Sequence, residues 1–537
     1  MVVTPNNRYH AAEAKMNPTT IVDRVEQVVT TMTERMATLT RTLATWMLDQ
    51  PHTLAEVEQQ VLPLIKDLGA TVVAGLCGLL TATPAAPTVA CACGHQARYL
   101  QRRPATVTTI LGPITLTRPW YHCAACRHGH APLDAHFQLC PGSRSAGLDE
   151  LLALLGATQD SFAEAASVLE RLTLVHVSPN TVRAATEQLG AVLVATQAEQ
   201  VALAQAGHAD PPSLTAHPTR LYIAMDGVFA HVHERDWREI KVGCCYLTHP
   251  EPDRKHPDQF VIRAVHLSYV TALAPAATFG WHLWCEAARR GVLDADEVIV
   301  VSDGAHWIWN LASEHFPGAT QILDWYHASA YIGAAASAIW AEGGAERATW
   351  IKTQLDDLWE GKVAAVLKEL ARHRAVGAAV TDAMSYYTTH QDRMAYAAYR
   401  ARGLQIGSGS VESGCKQLVS ARVKQAGMIW DAAGAEAVAT VRAWLKSARW
   451  AEAMGLRPPP QRTYRREGNP RENTPAPALP DTPPPPRAGL PADVLARVRA
   501  EEAAERAVHP WKHVWSVPQQ RREADARSAE SAVTPTA

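Results

Sequence analysis

Val298–Asn310 reads VIVVSDGAHWIWN. Four β-favouring aliphatic residues, Val298 to Val301, run into a serine and then an aspartate followed by glycine. A run this short, apolar and β-branched predicts a strand buried on both faces. Asp303 then falls at its tip. Leu221–Ala230, LYIAMDGVFA, repeats the design: Tyr222 to Met225 are apolar, and Asp226-Gly227 follows. Two buried strands ending this way would bring two carboxylates side by side at one sheet edge. Such carboxylates repel, each resists ionising beside the other, and a divalent cation between them removes the conflict. Magnesium accepts a few carboxylates and keeps water and phosphate oxygens, which points to phosphoryl transfer. A single Asp-Gly reads as a turn after a strand; two of them, each behind an apolar strand, read as a site.

A third acid comes from RGLQIGSGSVESGCKQLVSARVKQAGMIWDAAGAEAV, Arg402–Val438. IGSGS is a flexible turn, and VESGCKQLVSARV starts a helix with Glu412 in its first turn. Lys416 lies one turn later, with Arg422 and Lys424 further on, placed for phosphates. By itself Glu412 is equally a first-turn acid favoured by the helix dipole.

The rest of the chain supplies context. Its 537 residues are 47% hydrophobic and 19% charged, which predicts several ordinary globular domains. The net charge of −2 gives no global sign of nucleic acid, so DNA binding must rest on local patches. The N-terminus carries charges where a signal peptide needs an apolar run. The uncharged stretch between Asp67 and Arg98, broken by Gly, Thr and Pro, reads as a buried helix and a linker rather than a membrane span. A cytoplasmic location follows, and there the ten cysteines are expected as metal ligands or core thiols. Ile21, Val25, Val28, Met32 and Met36 recur at helical steps within residues 18–81. They form either a packing face for a neighbouring helix or a dimerisation face.

Cys91 and Cys93, then Cys123 and Cys126, sit at the ends of a predicted hairpin. Its strands, in TVTTILGPITLTRPWYH (Thr106–His122), alternate about Gly112-Pro113. Paired thiolates at tight turns suit a structural zinc ion, which takes four soft ligands in a tetrahedron. The first pair has one intervening residue where two are usual, so His95 or His122 could replace a cysteine. Scattered reduced thiols are the alternative. Arg98, Arg102, Arg103, Arg118 and Arg127 make this region basic, for phosphate contact or as a solvated face. SFAEAASVLERLTLVHVSPNTVRAATEQLG, Ser161–Gly190, has an N-cap at Ser178 with Pro179 behind it. Thr181, Arg183 and Thr186 would project from the second helix, as in a helix-turn-helix, or the pair is an ordinary helical hairpin. Trp340, Trp350 and Trp359 belong to a helical core or to a base-stacking platform. APALPDTPPPPRAGLP (Ala476–Pro491) marks a tail that cannot bury enough apolar surface to fold, with at most one short helix near Pro491 to Arg506.

Several motifs together resemble a family. They are MDG (Met225–Gly227), VSDGAHWIW (Val301–Trp309), ILDWYHA (Ile322–Ala328), GLQIGSGSVESGCKQLVSARVKQAGMIW (Gly403–Trp430) and, beside the cysteines, HAPLD (His130–Asp134). The set resembles the ISKra-type family of bacterial insertion-sequence DDE transposases, from the cysteine hairpin to Trp450. The resemblance implies an α/β ribonuclease-H-like catalytic domain with a helical insertion. Before it would come a helical N-terminal region, a small zinc-ribbon-like β-hairpin and a helix-turn-helix. The boundaries expected are 1–82 for the helical region, 83–146 for the hairpin and 147–215 for the helix-turn-helix. The catalytic domain would take 216–335 and 401–450 around an insertion at 336–400, with 451–537 as the tail. Asp226, Asp303 and Glu412 would be the DDE acids, holding two magnesium ions. Asp324 and His327 match an acid-x-x-His signature near the DNA, although His327 could equally brace a helix.

The activity implied is metal-dependent cleavage and strand transfer on double-stranded DNA, element ends and target alike. A homo-oligomer on DNA, nucleoid-associated and with no membrane contact, would carry it out. Contacts to DNA are expected from Asp324, His327, Lys416, Arg422, Lys424, Thr181 and Arg183, and a structural zinc ion from Cys91, Cys93, Cys123 and Cys126. The single residue between Cys91 and Cys93 departs from the two expected in such relatives. Two rivals stand beside this reading. One is a non-catalytic zinc and helix-turn-helix regulator derived from a transposase; the other is a nuclease that cuts and never joins.

Overall fold

A computed structural model describes residues 18–81, 84–207, 218–233, 236–253, 260–340, 344–457 and 464–465. The described residues divide into two compact units, the first from within 18–199, 229–238 and 417–465, the second from within 200–228 and 239–416.

The first unit opens with helix α1 (Pro18–Asp49) and helix α2 (Leu54–Thr81). Thr53 and Glu56 start α2 with a reciprocal cap: the Thr53 N–H donates to Glu56 Oε2 at 2.7 Å and the Glu56 N–H to Thr53 Oγ1 at 3.3 Å. Along α2 only Ala70 and Thr81 are buried, which corrects the expectation of a buried helix. Strands β1 (Thr88–Ala90), β2 (Gln96–Thr109), β3 (Gly112–His122) and β4 (His128–His130) follow in that spatial order. The predicted hairpin is β2–β3, antiparallel from Arg98↔His122 to Thr109↔Gly112. Its turn is Ile110-Leu111, two residues earlier than the expected Gly-Pro; Gly112, at φ 121°, opens β3 instead. Helix α3 (Pro132–His136) carries Asp134, which forms a fully buried two-pronged ion pair with Arg118. Arg118 is therefore a core residue and is removed from the basic face. Arg102 and Arg103 are also occupied, the first on the Thr81 carbonyl and the second over the Trp120 ring at 4.7 Å.

Helices α4 (Ala146–Thr158), α5 (Phe162–Thr173) and α6 (Pro179–Gln205) share one core of Leu148, Leu152, Ala165, Leu169, Val182 and Ala185. Ser178 caps α6 as expected, accepting from the Thr181 N–H at 3.2 Å. Arg183 is exposed and Thr181 half-buried, but Thr186 is fully buried under Leu152 and does not project.

Among the described residues, a second sheet, lying mainly in the second unit, has the order β7-β6-β5-β8-β9. Its strands are β5 (Arg220–Val232), β6 (Asp236–Pro252), β7 (Phe260–Ala272), β8 (Glu297–Ser302) and β9 (Thr320–Leu323). β5, β8 and β9 run parallel, and β6 and β7 antiparallel. Leu221 to Met225 and Ile299 to Val301 are fully buried, as their composition predicts; each Leu, Ile, Val or Met side chain among them contributes roughly 1.5–3 kcal/mol on burial. Helix α7 (Ala276–Arg289) packs where Gly243 lacks a side chain, since a Cβ there would lie 2.7 Å from Leu283 Cδ1. Helix α8 (His306–His315) follows β8 directly, and α9 (Trp325–Ile339) follows β9.

The predicted insertion is helical: α10 (Ala345–Trp359), α11 (Val363–Arg372), α12 (Ala378–His390) and α13 (Tyr396–Ala401). Trp350 is buried against Trp340, ring centroids 5.1 Å apart, so these two serve packing. Trp359 is on the surface under Arg400. The Tyr396 and Tyr399 hydroxyls donate to the Leu323 and Gln321 carbonyls of β9, at 3.1 and 3.3 Å. Helix α14 (Gly409–Gly414) carries Glu412. It packs on Val242 and Tyr269 through Gly414, on the opposite face of β6 from α7, because residues 242 and 243 alternate across the strand.

Returning to the first unit, α15 (Ala432–Lys446) and α16 (Trp450–Gly455) form a second core with α6, from Leu189, Leu193, Val441, Trp444 and Ala453. The folded chain thus runs past the expected boundary at 450. Arg422 is 1% exposed and belongs to this unit's interior, not to a phosphate-contacting face. Its Nε donates to the Gly156 carbonyl at 3.1 Å, and its guanidinium lies over Phe162 at 4.3 Å. Arg442 reaches the Ala157 carbonyl beside it. Two cations thus satisfy the last carbonyls of α4, where the helix dipole is negative. The short helix expected near Pro491 to Arg506 lies outside the described residues.

Candidate functional site

Three parallel strands deliver three aspartates to one end of the sheet. Asp226 lies within β5, Asp303 one residue past β8, and Asp324 one residue past β9. Ser302, fully buried, ties these ends together. Its hydroxyl accepts from the Met225 N–H at 2.9 Å, and its carbonyl accepts from the Asp324 N–H at 2.8 Å. The pairing of β5 with β8 stops at Ile223↔Val300. Asp226 therefore comes just beyond the paired segment. β5 itself runs on to Val232, so the expectation that this strand ends at its aspartate is corrected.

Neither Asp-Gly is a turn with left-handed backbone. Both glycines leave room for a neighbour instead. A Cβ at Gly227 would sit 2.1 Å from Glu239 Oε1, and one at Gly304 would sit 2.2 Å from the Tyr386 ring. Glu239 is thus a carboxylate that the sequence did not announce. It pairs with Lys241 at 2.6 Å and adds its charge to the field at Asp303.

The electrostatics are those of crowded acids. Burial pushes the Asp226 carboxyl up to about 6, and the charge of Asp303 adds to the push. Burial likewise raises Asp303, with Asp324 and Glu239 contributing. The Cys415 thiol donates to Asp226 Oδ2 at 3.3 Å, and burial beside Asp226 holds that thiol well above its ordinary range. Asp324 behaves differently. Burial would raise it, but bonds from His327 and Ser408 outweigh burial and hold it low. Burial would likewise lower His327, yet Asp324, Asp303 and Glu412 raise it to about 9, so the imidazolium is retained at neutral pH.

Asp324 is fully buried and its oxygens are engaged. Oδ1 accepts from the His327 backbone N–H at 2.9 Å, capping α9, while Oδ2 accepts from the Ser408 N–H at 2.6 Å. DNA contact by Asp324 is thereby corrected to a structural role; His327 remains partly exposed. The Ser408 hydroxyl lies 2.6 Å from Asp324 Oδ2 and 3.0 Å from Glu412 Oε1. One hydroxyl proton serves two carboxylates, and it fixes the start of α14 to the end of β9.

Among the described residues, two groups of side chains could hold a metal ion. In one, Asp324, His327 and Glu412 each bring a ligand atom within 4.8 Å of the others; Asp226 and Asp303 are not part of that group, although the charge of His327 acts on both. Asp226 and Asp303, held above their ordinary range by burial, are carboxylates that a hard dication relieves, so these two residues fit magnesium.

The other group is Cys91, Cys93, Cys123 and Cys126, in the first unit. The β1–β2 and β3–β4 turns present one pair each. Cys91 Sγ is 3.6 Å from Cys126 Sγ, and Cys93 Sγ is 3.6 Å from Cys123 Sγ. The one-residue gap is accommodated because the turn folds back. The Cys91 N–H donates to the His95 carbonyl at 2.8 Å, and Gly94 adopts φ 83°. No histidine is needed to complete the four. The His95 N–H on the Cys93 sulfur lowers that thiol to about 6. Four converging sulfurs suit a thiophilic dication.

Lys416 and Lys424 are exposed, the latter 5.7 Å from the Trp237 ring centroid. Sequence reasoning missed Ser302, Ser408 and Cys415, which hold the acids or the strand ends that carry them, and Glu239, whose charge acts on Asp303. Ser302, inside VIVVSDG, and Ser408 and Cys415, inside IGSGSVESGC, lay in stretches already singled out, whereas Glu239 lay in none.

No curated protein matches this chain. Residues 48–453 match the profile of a family described as Uncharacterised protein family (UPF0236), a span that takes in the sulfur cluster, the sheet and the Glu412 helix, and the chain belongs to that family.

Proposed function

We propose that the chain is a metal-dependent DNA transposase of the DDE type, cutting and joining strands at the edge of a ribonuclease-H-like sheet. The observation that carries this reading is the meeting of three parallel strand ends, with Asp226, Asp303 and Asp324, and a helix start with Glu412, hinged on Ser302 and Ser408. A sheet ordered third-second-first-fourth-fifth along the chain, with three parallel strands, supports the ribonuclease-H-like assignment. Asp226, Asp303 and Glu412 would hold magnesium, which supplies Lewis acidity for the attacking hydroxyl and the leaving oxygen. The chain's own groups do the rest. Ser302 keeps the Asp226 and Asp303 strand ends in register. The His327 imidazolium offsets part of the carboxylate charge. Ser408, a positioning residue, holds Glu412 to the sheet. Arg183 and Thr181 on α6, with Lys416 and Lys424, would contact DNA, and a zinc ion on the four cysteines would stiffen the hairpin for the same purpose.

The test is to incubate the full chain, magnesium, labelled element ends and a supercoiled target plasmid. Joined products are expected. Cutting without joining would reduce the reading to a nuclease, and binding alone would reduce it to a regulator. Ser408→Ala should lower the cleavage rate roughly 100-fold, the order seen when a catalytic group is misplaced by about 1 Å. The same change should cost only about 1 kcal/mol of stability, because the backbone N–H still bonds Asp324. Single-turnover rates and thermal melts read the two effects separately.

A further inference from the structure

α1 and α2 form an antiparallel hairpin. Gly75 makes room for Val28, Arg35 reaches Asp67 at 3.1 Å, and Trp46 stacks on His52 near the turn. α2 is seated on the β2–β3 hairpin through Ala70, which joins Val107, Ile114 and Leu116. α1 packs on α2 and leaves its other side bare: Val22, Val25, Val29, Met36 and Met47 are 40–58% exposed. Their steps of three, four, seven and eleven residues keep them on one side of a helix with 3.6 residues per turn. On α2, Leu62, Ile65, Leu76 and Leu80 are exposed in the same manner. A groove of about 700 Å³ runs between the helices, lined by Met32, Met36, Thr40 and Ala44 from α1 and by Leu68 and Val72 from α2. The threonines here are not the polar surface they resemble in sequence. Thr33 and Thr40 each donate their hydroxyl to the carbonyl four residues back, at 2.9 Å. Removing water from such a face leaves these hydroxyls satisfied, and Arg41, which also lines the groove, is the charged group a partner has to accommodate.

We propose that this face is the interface between two copies of the chain, the two hairpins pairing into a four-helix bundle. The area is of the right size. A 32-residue helix at about 1.5 Å per residue is about 48 Å long, and a two-helix face about 20 Å wide covers roughly 900 Å² per copy. The total of roughly 1,800 Å² falls in the range of a stable dimer, about 1,200–2,000 Å². The pattern is also that of a helical bundle, an apolar seam at heptad-like spacing with charged groups along its rim. α2 is long and apolar enough to cross a membrane by length and composition. The Arg35–Asp67 pair argues for a protein partner instead, because a bilayer would strip these exposed groups of water midway along the hairpin, whereas the rim of a bundle leaves them wet. The inference is independent of the chemistry at the sheet edge.

Sedimentation equilibrium of the full chain, from nanomolar to micromolar, tests it. A dimer is expected. Val29→Glu combined with Met36→Glu, and separately Leu76→Glu, should weaken association about 100-fold, the order expected when an unpaired charge enters an apolar seam. Far-UV circular dichroism should be unchanged, and Met36→Leu should associate as the parent does. Should the charged variants lose helix, Val29→Ala with Met36→Ala keeps helix propensity and should still weaken association about 10-fold. A parent that stays monomeric throughout overturns the proposal, whether its own tail covers the face or nothing does. A dimer that survives both charged variants also overturns it, as does a parent that floats as a monomer with phosphatidylcholine–phosphatidylglycerol vesicles.

Discussion

Asp303→Asn is expected to abolish DNA strand cleavage, a loss of roughly 10³-fold or more, while leaving affinity for element ends unchanged. The change is close to isosteric. The amide oxygen still accepts from the Ala305 N–H, which meets Asp303 Oδ1 at 3.0 Å, so the start of α8 is preserved. What disappears is one of the crowded negative charges, and with it the demand for a dication. Two side effects follow from the same charge. Burial still raises Asp226, but the contribution of Asp303 is gone, so the Asp226 carboxyl should fall from about 6 toward its ordinary value. The imidazolium of His327, raised in part by Asp303, should lose its proton more easily. Folding should improve slightly, since a like-charge repulsion has been removed. A gel-shift and a cleavage assay on the same preparation decide the matter. A variant that still cuts would remove Asp303 from the chemistry and the DDE reading with it.

Cys123→Ser is expected to have the largest structural effect. Cys123 is fully buried, and its sulfur sits 3.6 Å from that of Cys93. Binding of a structural zinc ion is itself folding free energy, so loss of one ligand should cost roughly 5 kcal/mol or more and release the metal. The damage should stay local. The core of Ala97 and Tyr121 beside Cys123 would open, whereas the helical core around Leu148 and Leu169 shares no residue with it. Elemental analysis of the parent should give one zinc per chain, and a chelator should reproduce the variant's proteolysis pattern at the hairpin. A parent that is folded and free of metal would refute the assignment. Cys140→Ser, at a buried cysteine outside the cluster, is the control and should keep the metal.

The legible parts of the fold were those fixed by local pattern. Leu221–Met225 and Ile299–Val301 became buried strand segments because short, largely apolar runs suit a sheet covered on both faces. Ser178-Pro179 became a helix start because cap chemistry acts within three residues. The misreadings have long-range causes. Arg422 and Arg118 look like phosphate ligands in sequence. Their partners, the Gly156 carbonyl and Asp134, lie 266 and 16 residues away, and no periodicity predicts them. Asp324 carries the charge of a ligand but spends its oxygens on Ser408 and a helix cap. That could be known only once β9 and the Gly-Ser turn were seen together, 84 residues apart. The exposed side of α1 was half-read: helical spacing revealed a stripe, and it took burial to show which stripe faces α2 and which faces outward.

The tyrosines of α13 carry a last consequence. β9 is only four residues long and borders the sheet, and the carbonyls of Gln321 and Leu323 on its free side are taken by Tyr399 and Tyr396. A chain shortened by deleting its insertion would therefore leave those acceptors open beside the acidic cluster. Any extended peptide could then add itself as a sixth strand. The helices between Asp324 and Glu412 are in this sense a guard against self-association by strand addition, and their presence is a condition for keeping the sheet edge as a working surface.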